Sequence, residues 1–208
     1  MYKIVIVLFG SLSCILNISC NQTDNKKPVQ LPSKEIGYKI LSKNEILRIV
    51  EKSIGISSIE KGVLGTQIRI WGDDDTLPHN SRLIIFDSMN NKWSGRVCTI
   101  EFPPPTGPEV KVSNHHWKSL PQPTLGWDVF MNNLYNLGIL TLPDMTEIPG
   151  YGDDLSTGEF GYTFEVAKSQ KYRTYSYSTP AFRETRFKEA KNVVEILKAI
   201  DAEFHSFL

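Results

Sequence analysis

No sign of charge prevails in this chain: 23 lysines and arginines stand against 23 aspartates and glutamates over 208 residues. Nucleic-acid binding calls for a basic surplus or stripe, and the densest basic run past the N-terminal segment is only Lys26-Lys27. That class of partner is therefore not expected. Chemical motifs are lacking as well. There is no glycine-rich phosphate loop, no Gly-x-Ser-x-Gly elbow, no dinucleotide fingerprint, and no Cys-x-x-Cys or His-x-x-x-His spacing. Neither cofactor nor metal is implied. The lack of motifs does not exclude catalysis, but it shifts weight towards a binding or structural role. Cysteine is scarce too, with copies only at positions 14, 20 and 98.

What is present begins at the N-terminus. Lys3 precedes an apolar run, Ile4 to Leu16, that is too short to span a bilayer comfortably, and small Ser19 stands directly before Cys20. This is the pattern of a bacterial lipoprotein leader: a positive start, a short apolar segment, a small residue at the cut and a thiol ready for acylation. Cys14 also follows a serine, but cleavage there would leave Ile15, Leu16 and Ile18 on the mature end. Cys20 is the better lipid acceptor. Asn17 occupies the place where the commonest lipobox has Leu, and this loose register resembles the leaders of Bacteroidota lipoproteins. Asn21 stands where an enterobacterial retention signal has Asp, and Asn21-Gln22-Thr23-Asp24 carries a single carboxylate. The resemblance therefore implies an outer-membrane anchor facing the periplasm.

The expected organisation is a signal peptide over residues 1–19, an acylated Cys20 with a flexible tether to residue 35, and one globular domain over 36–208. The tether is polar and carries Pro28 and Pro32; about 14 such residues have a root-mean-square reach of ~20 Å. Losing the leader removes Lys3 and leaves the mature chain one unit negative. With Cys14 discarded and Cys20 acylated, only Cys98 remains, so no internal disulfide is expected.

The domain reads as α+β, an antiparallel sheet (a meander plus a C-terminal hairpin) with helices packed on one side. Ser42 and Glu45 form a capping box before the stripe Ile46, Leu47, Ile49, Val50 and Ile54, and Gly55 is a stop. Strand-like runs follow at 66–71, 82–86 and 93–102, the last two joined by Asn90-Asn91, which suits a tight hairpin. Pro103-Pro104-Pro105 ends pairing, and Glu109 to Ser113 is a candidate short edge strand. Helical spacing returns at Trp127, Phe130, Met131, Leu134 and Leu137, with Gly138 as a stop. A second hairpin, Tyr162 to Ala167 and Lys171 to Ser178, precedes a closing helix from about Arg186.

Each candidate site has a plainer reading beside it. Cys98 with His115 or His116 could form a thiol–imidazole pair, but Arg96, Cys98, Ile100 and Phe102 share one face by alternation, so Cys98 reads as a small core residue. The Ser-x-Gly-Cys-Arg pattern of the L,D-transpeptidases is not reproduced. Asp73-Asp74-Asp75 fails the spacing of a calcium loop and reads as a solvated turn. Asp153, Asp154, Glu159 and Glu165 could supply a glycosidase-like pair, if two of them stood about 5 to 9 Å apart. His115 and His116, adjacent on an extended segment, point to opposite faces and make poor joint zinc ligands.

The remaining candidate is the hairpin, where Tyr172, Arg173, Tyr175 and Tyr177 could form a stacking platform for a sugar or a peptide. Tyrosine is also an ordinary strand former. The segment running from Trp127 through Ile148-Pro149-Gly150-Tyr151 to Tyr172, Arg173, Tyr175, Tyr177 and Pro180 resembles Bacteroidota lipoproteins over the C-terminal half, a resemblance that brings no activity with it. The sequence thus points to a lipid-anchored envelope module, non-catalytic and binding an envelope protein or glycan, with inhibitor or immunity proteins as a special case. The alternative is an envelope glycan or peptide hydrolase working through unassigned carboxylates.

Overall fold

A computed structural model describes residues 42–73, 80–104, 110–152 and 161–205. The leader, Cys20, the tether and its boundaries, Asp74, Asp75, Glu109, Asp153, Asp154 and Glu159 lie outside the described residues.

The chain enters through α1 (Lys43–Ser53). Its capping box is formed: the Ser42 hydroxyl accepts from the Glu45 amide at 3.3 Å, and the Glu45 carboxylate accepts from the Ser42 amide at 2.8 Å. Gly55, at φ +74°, takes the left-handed conformation that ends the helix. Strands β1 (Thr66–Asp73), β2 (Asn80–Met89) and β3 (Lys92–Glu101) then form the expected meander. Asn90 and Asn91 make the tight turn between β2 and β3 at φ 52° and 59°.

The outer strand lies further along than Glu109 to Ser113. Val110 to Ser113 are not strand; β4 is Asn114–Ser119, paired with Arg96–Glu101. Val110 and Val112 instead pack on the apolar cluster that faces α1; the Ser113 amide donates to the Glu101 carbonyl at 2.9 Å, and the ladder runs from Asn114. Helix α2 (Trp127–Asn136) carries the chain back, and Gly138 follows it at φ +87°. Strands β5 (Gly161–Lys168) and β6 (Lys171–Ser178) form the second hairpin, which joins the sheet beside β1. One turn of helix, α3 (Pro180–Arg183), precedes the long α4 (Lys188–Phe204).

The result is a six-stranded antiparallel sheet in the order β4-β3-β2-β1-β5-β6, an α+β fold as expected. Alternation sorts its side chains. Ile68, Ile70, Ile84, Phe86, Phe164, Val166, Tyr175 and Tyr177 face α2 and α4 and build the main core with Phe130, Met131, Leu134, Val193, Ile196, Leu197 and Ile200. Gly95 lets α2 come close: a Cβ there would sit 2.7 Å from the Trp127 ring. While α2 and α4 pack together on one side, α1 covers part of the opposite face. Its Leu47, Val50 and Ile54 meet Trp71, Leu83, Ile85, Cys98 and Ile100 in a smaller cluster.

Candidate functional site

Beneath α1, the second face of the sheet also carries charge. Arg69 alternates with Ile68 and Ile70 on β1, and Glu165 with Phe164 and Val166 on β5, so both turn towards α1. On the underside of α1, Glu51 lies among Leu47, Val50 and Ile54 at helical spacing, with Arg48 beside it. Glu51, Arg69 and Glu165 are 2%, 2% and 0% exposed.

These groups close on one another. Arg48 bridges the carboxylates, donating through Nη1 to Glu51 and through Nη2 to Glu165. Arg69 donates to Glu51 through Nη1, to the Ser57 carbonyl at 2.7 Å and, through Nε, to Gln67 at 2.7 Å. Trp71 Nε1 and the Tyr172 hydroxyl each donate to Glu165 at 2.7 Å, one to each oxygen. Two carboxylates thus face two guanidiniums, which is how buried charge is tolerated. Burial, then the nearby Glu165 carboxylate, push the Glu51 carboxyl up to about 7 against the pull of Arg48 and Arg69. Burial also raises the Tyr172 hydroxyl, as does its bond to Glu165.

The hairpin residues part company. Tyr172 belongs to this cluster, whereas Arg173, Tyr175 and Tyr177 face the main core. The Tyr175 hydroxyl donates to the Ile139 carbonyl at 2.6 Å and the Tyr177 hydroxyl to that of Pro143 at 2.8 Å. Arg173 donates to the carbonyls of Leu140, at 2.7 Å, and Leu142. The three side chains pin the 139–143 turn after α2. Tyr175 and Tyr177 are 1% and 0% exposed, so their rings present no open stacking surface, and burial raises both hydroxyls.

Cys98 is fully buried, its Sγ placed to donate to the Thr99 carbonyl at 3.6 Å, and burial pushes the thiol up to about 11. Trp117 stands opposite it on β4, while His115 faces Ile100 and His116 faces Thr99. The pair of histidines lies exposed on the outer strand. Among the described residues no group of three or more His, Cys, Asp or Glu is placed to hold a metal. A shallow open depression lies where β4 stops and β3 runs on, lined by Asp87, Ser94, Gly95, Arg96, Leu120 and Trp127. Asp87 there accepts from Gln67, and the Arg96 guanidinium sits 4.8 Å from the Trp117 ring centre.

Sequence reasoning named Glu165 and Tyr172 but missed Arg48, Glu51 and Arg69. The signal was available: a charged residue on an apolar helix stripe, and another between two isoleucines of a strand, each stand where burial demands a partner. No protein-family model, curated protein or solved structure matches this chain.

Proposed function

We propose that this chain is a lipid-anchored protein of the bacterial cell envelope, held by acylated Cys20 at the periplasmic face of the outer membrane, and that its domain is a non-catalytic interaction module. The observation that carries the reading is the leader: Lys3, the short apolar run Ile4 to Leu16, and Ser19 before Cys20. Its partner is an envelope protein or glycan, and an inhibitor or immunity role is one form this takes.

The state of the reactive groups supports a binding role. A cysteine nucleophile attacks as the thiolate, and Cys98 is buried with its thiol pushed up to about 11. A hydrolase working through carboxylates needs one free to meet water or substrate, and the oxygens of Glu165 accept from Arg48, Trp71 and Tyr172. Through Glu165, that alternative would require α1 to lift off the sheet.

Labelling cells with radioactive palmitate tests the anchor. The parent protein incorporates label and Cys20→Ser does not; equal labelling of both overturns the reading.

A further inference from the structure

Five strand ends meet at one rim of the sheet. Thr66 begins β1 opposite Ser88 and Lys168, Met89 pairs with Lys92 across the β2–β3 turn, and Lys168 pairs with Lys171 across the β5–β6 turn. The 61–65 segment is bound to the same rim: the Val63 amide donates to the Ser169 carbonyl at 2.8 Å, and the Ser169 amide to the Gly65 carbonyl at 2.9 Å. Gly65 is wedged so tightly that a Cβ there would lie 2.0 Å from the Ser88 carbonyl oxygen and 3.8 Å from Met89 Cα. Leu64, next in the chain to Gly65, therefore lies at the same rim as Met89.

These two side chains are 89% and 63% exposed. Lys61, Lys92, Lys168 and Lys171 stand in the turns of the same rim, all exposed and, among the described residues, without a salt bridge. The one acid in these turns, Glu60, lies 3.5 Å from Arg48 Nε. At a strand spacing of ~4.8 Å the rim is about 19 Å wide from β3 to β6. Single exposed apolar residues need no explanation; two at one rim that also carries four exposed lysines do.

We propose that this rim docks on an anionic bilayer surface, with Leu64 and Met89 entering the headgroup region and the four lysines meeting lipid phosphates. Apolar contact and electrostatic attraction add at a membrane surface. The proposal takes its setting from the lipid-anchor reading: some twenty residues separate Cys20 from Ser42, a contour of about 70 Å when extended, enough for the rim to turn to the bilayer.

The test uses the processed chain, residues 20–208, carrying Cys20→Ser so that no acyl chain contributes. It is sedimented with vesicles of phosphatidylcholine alone and of equal parts phosphatidylcholine and phosphatidylglycerol, at low salt. The rim predicts binding to the anionic vesicles only, lost near 0.5 M salt as screening shortens to a few ångströms. Each lysine neutralised should lower partitioning about fivefold, so Lys92→Gln, Lys168→Gln and Lys171→Gln together should lower it about a hundredfold. Leu64→Ser with Met89→Ser should weaken binding with the lysines intact. All five positions are exposed, and unchanged thermal melting checks that each variant is folded. Equal binding to neutral vesicles, parent-like binding by the triple variant, or no binding to either vesicle, as a protein partner for this rim would give, overturns the proposal. Palmitate labelling is independent of the rim, so failure of the anchor reading is read separately.

Discussion

Replacing Glu165 by Gln removes one charge from a side chain that is 0% exposed and accepts from Arg48, Trp71 and Tyr172. The amide keeps one acceptor oxygen and turns an NH2 group towards donors, leaving at least one buried donor unmatched, at about 1–3 kcal/mol. Stranding the partner of a fully buried ion pair costs about 3–5 kcal/mol, but the Arg48 side chain is 23% exposed, so water recovers part of its loss. The net expectation is about 3 kcal/mol, a large share of the ~5–15 kcal/mol that holds a domain folded. In urea, with a slope of ~2 kcal/mol/M, the midpoint should fall by ~1.5 M. Hydrogen exchange should show α1 amides losing protection first, because Arg48 and Glu51 hold α1 to β1 and β5 alongside its apolar contacts. Adding Arg48→Met to Glu165→Gln should restore at least about 1 kcal/mol, since the stranded cation is gone. A midpoint within ~0.2 M of the parent for Glu165→Gln, or a double variant worse than the sum of its parts, would refute the idea that this cluster fastens α1.

Two further outcomes follow from groups the fold buries. Glu51 has its folded value raised to about 7 from the ordinary carboxyl range, so its contribution to stability is fully present below about pH 4.5 and is lost as pH rises towards 7 and beyond, by up to about 3 kcal/mol; urea midpoints from pH 5 to 8 should fall more steeply for the parent than for Glu51→Gln, and parallel curves would contradict this. Cys98, shielded and with its thiol at about 11, should resist iodoacetamide in native protein at neutral pH and react quickly only on unfolding; fast native labelling would return Cys98 and its neighbours His115 and His116 to consideration as a nucleophile and base.

Local features were legible from the sequence because their causes are local. The Ser42–Glu45 capping box, the Asn90-Asn91 turn and the helix stops at Gly55 and Gly138 each depend on a few adjacent residues, and each is formed. Alternation along β6 puts Tyr172 on the face opposite Arg173, Tyr175 and Tyr177. It could not say what would cover each face. The covers came from the 139–143 turn, some 30 residues upstream, and from α1, with Arg48 meeting Glu165 across 117 positions. The outer strand shifted to Asn114–Ser119 for the same reason: Val110 and Val112 had long-range apolar contacts to make. Arg69 and Glu51 were passed over because a single charge in an apolar pattern reads as noise until its partner, distant in sequence, is known.

The central claim is that this protein is held in the envelope by a lipid on Cys20, and intact mass spectrometry of the protein extracted from membranes tests it most directly. The account predicts a chain that begins at Cys20 and carries the added mass of a diacylglyceryl group. A chain that retains the leader, or one that begins elsewhere with no lipid on Cys20, would contradict it.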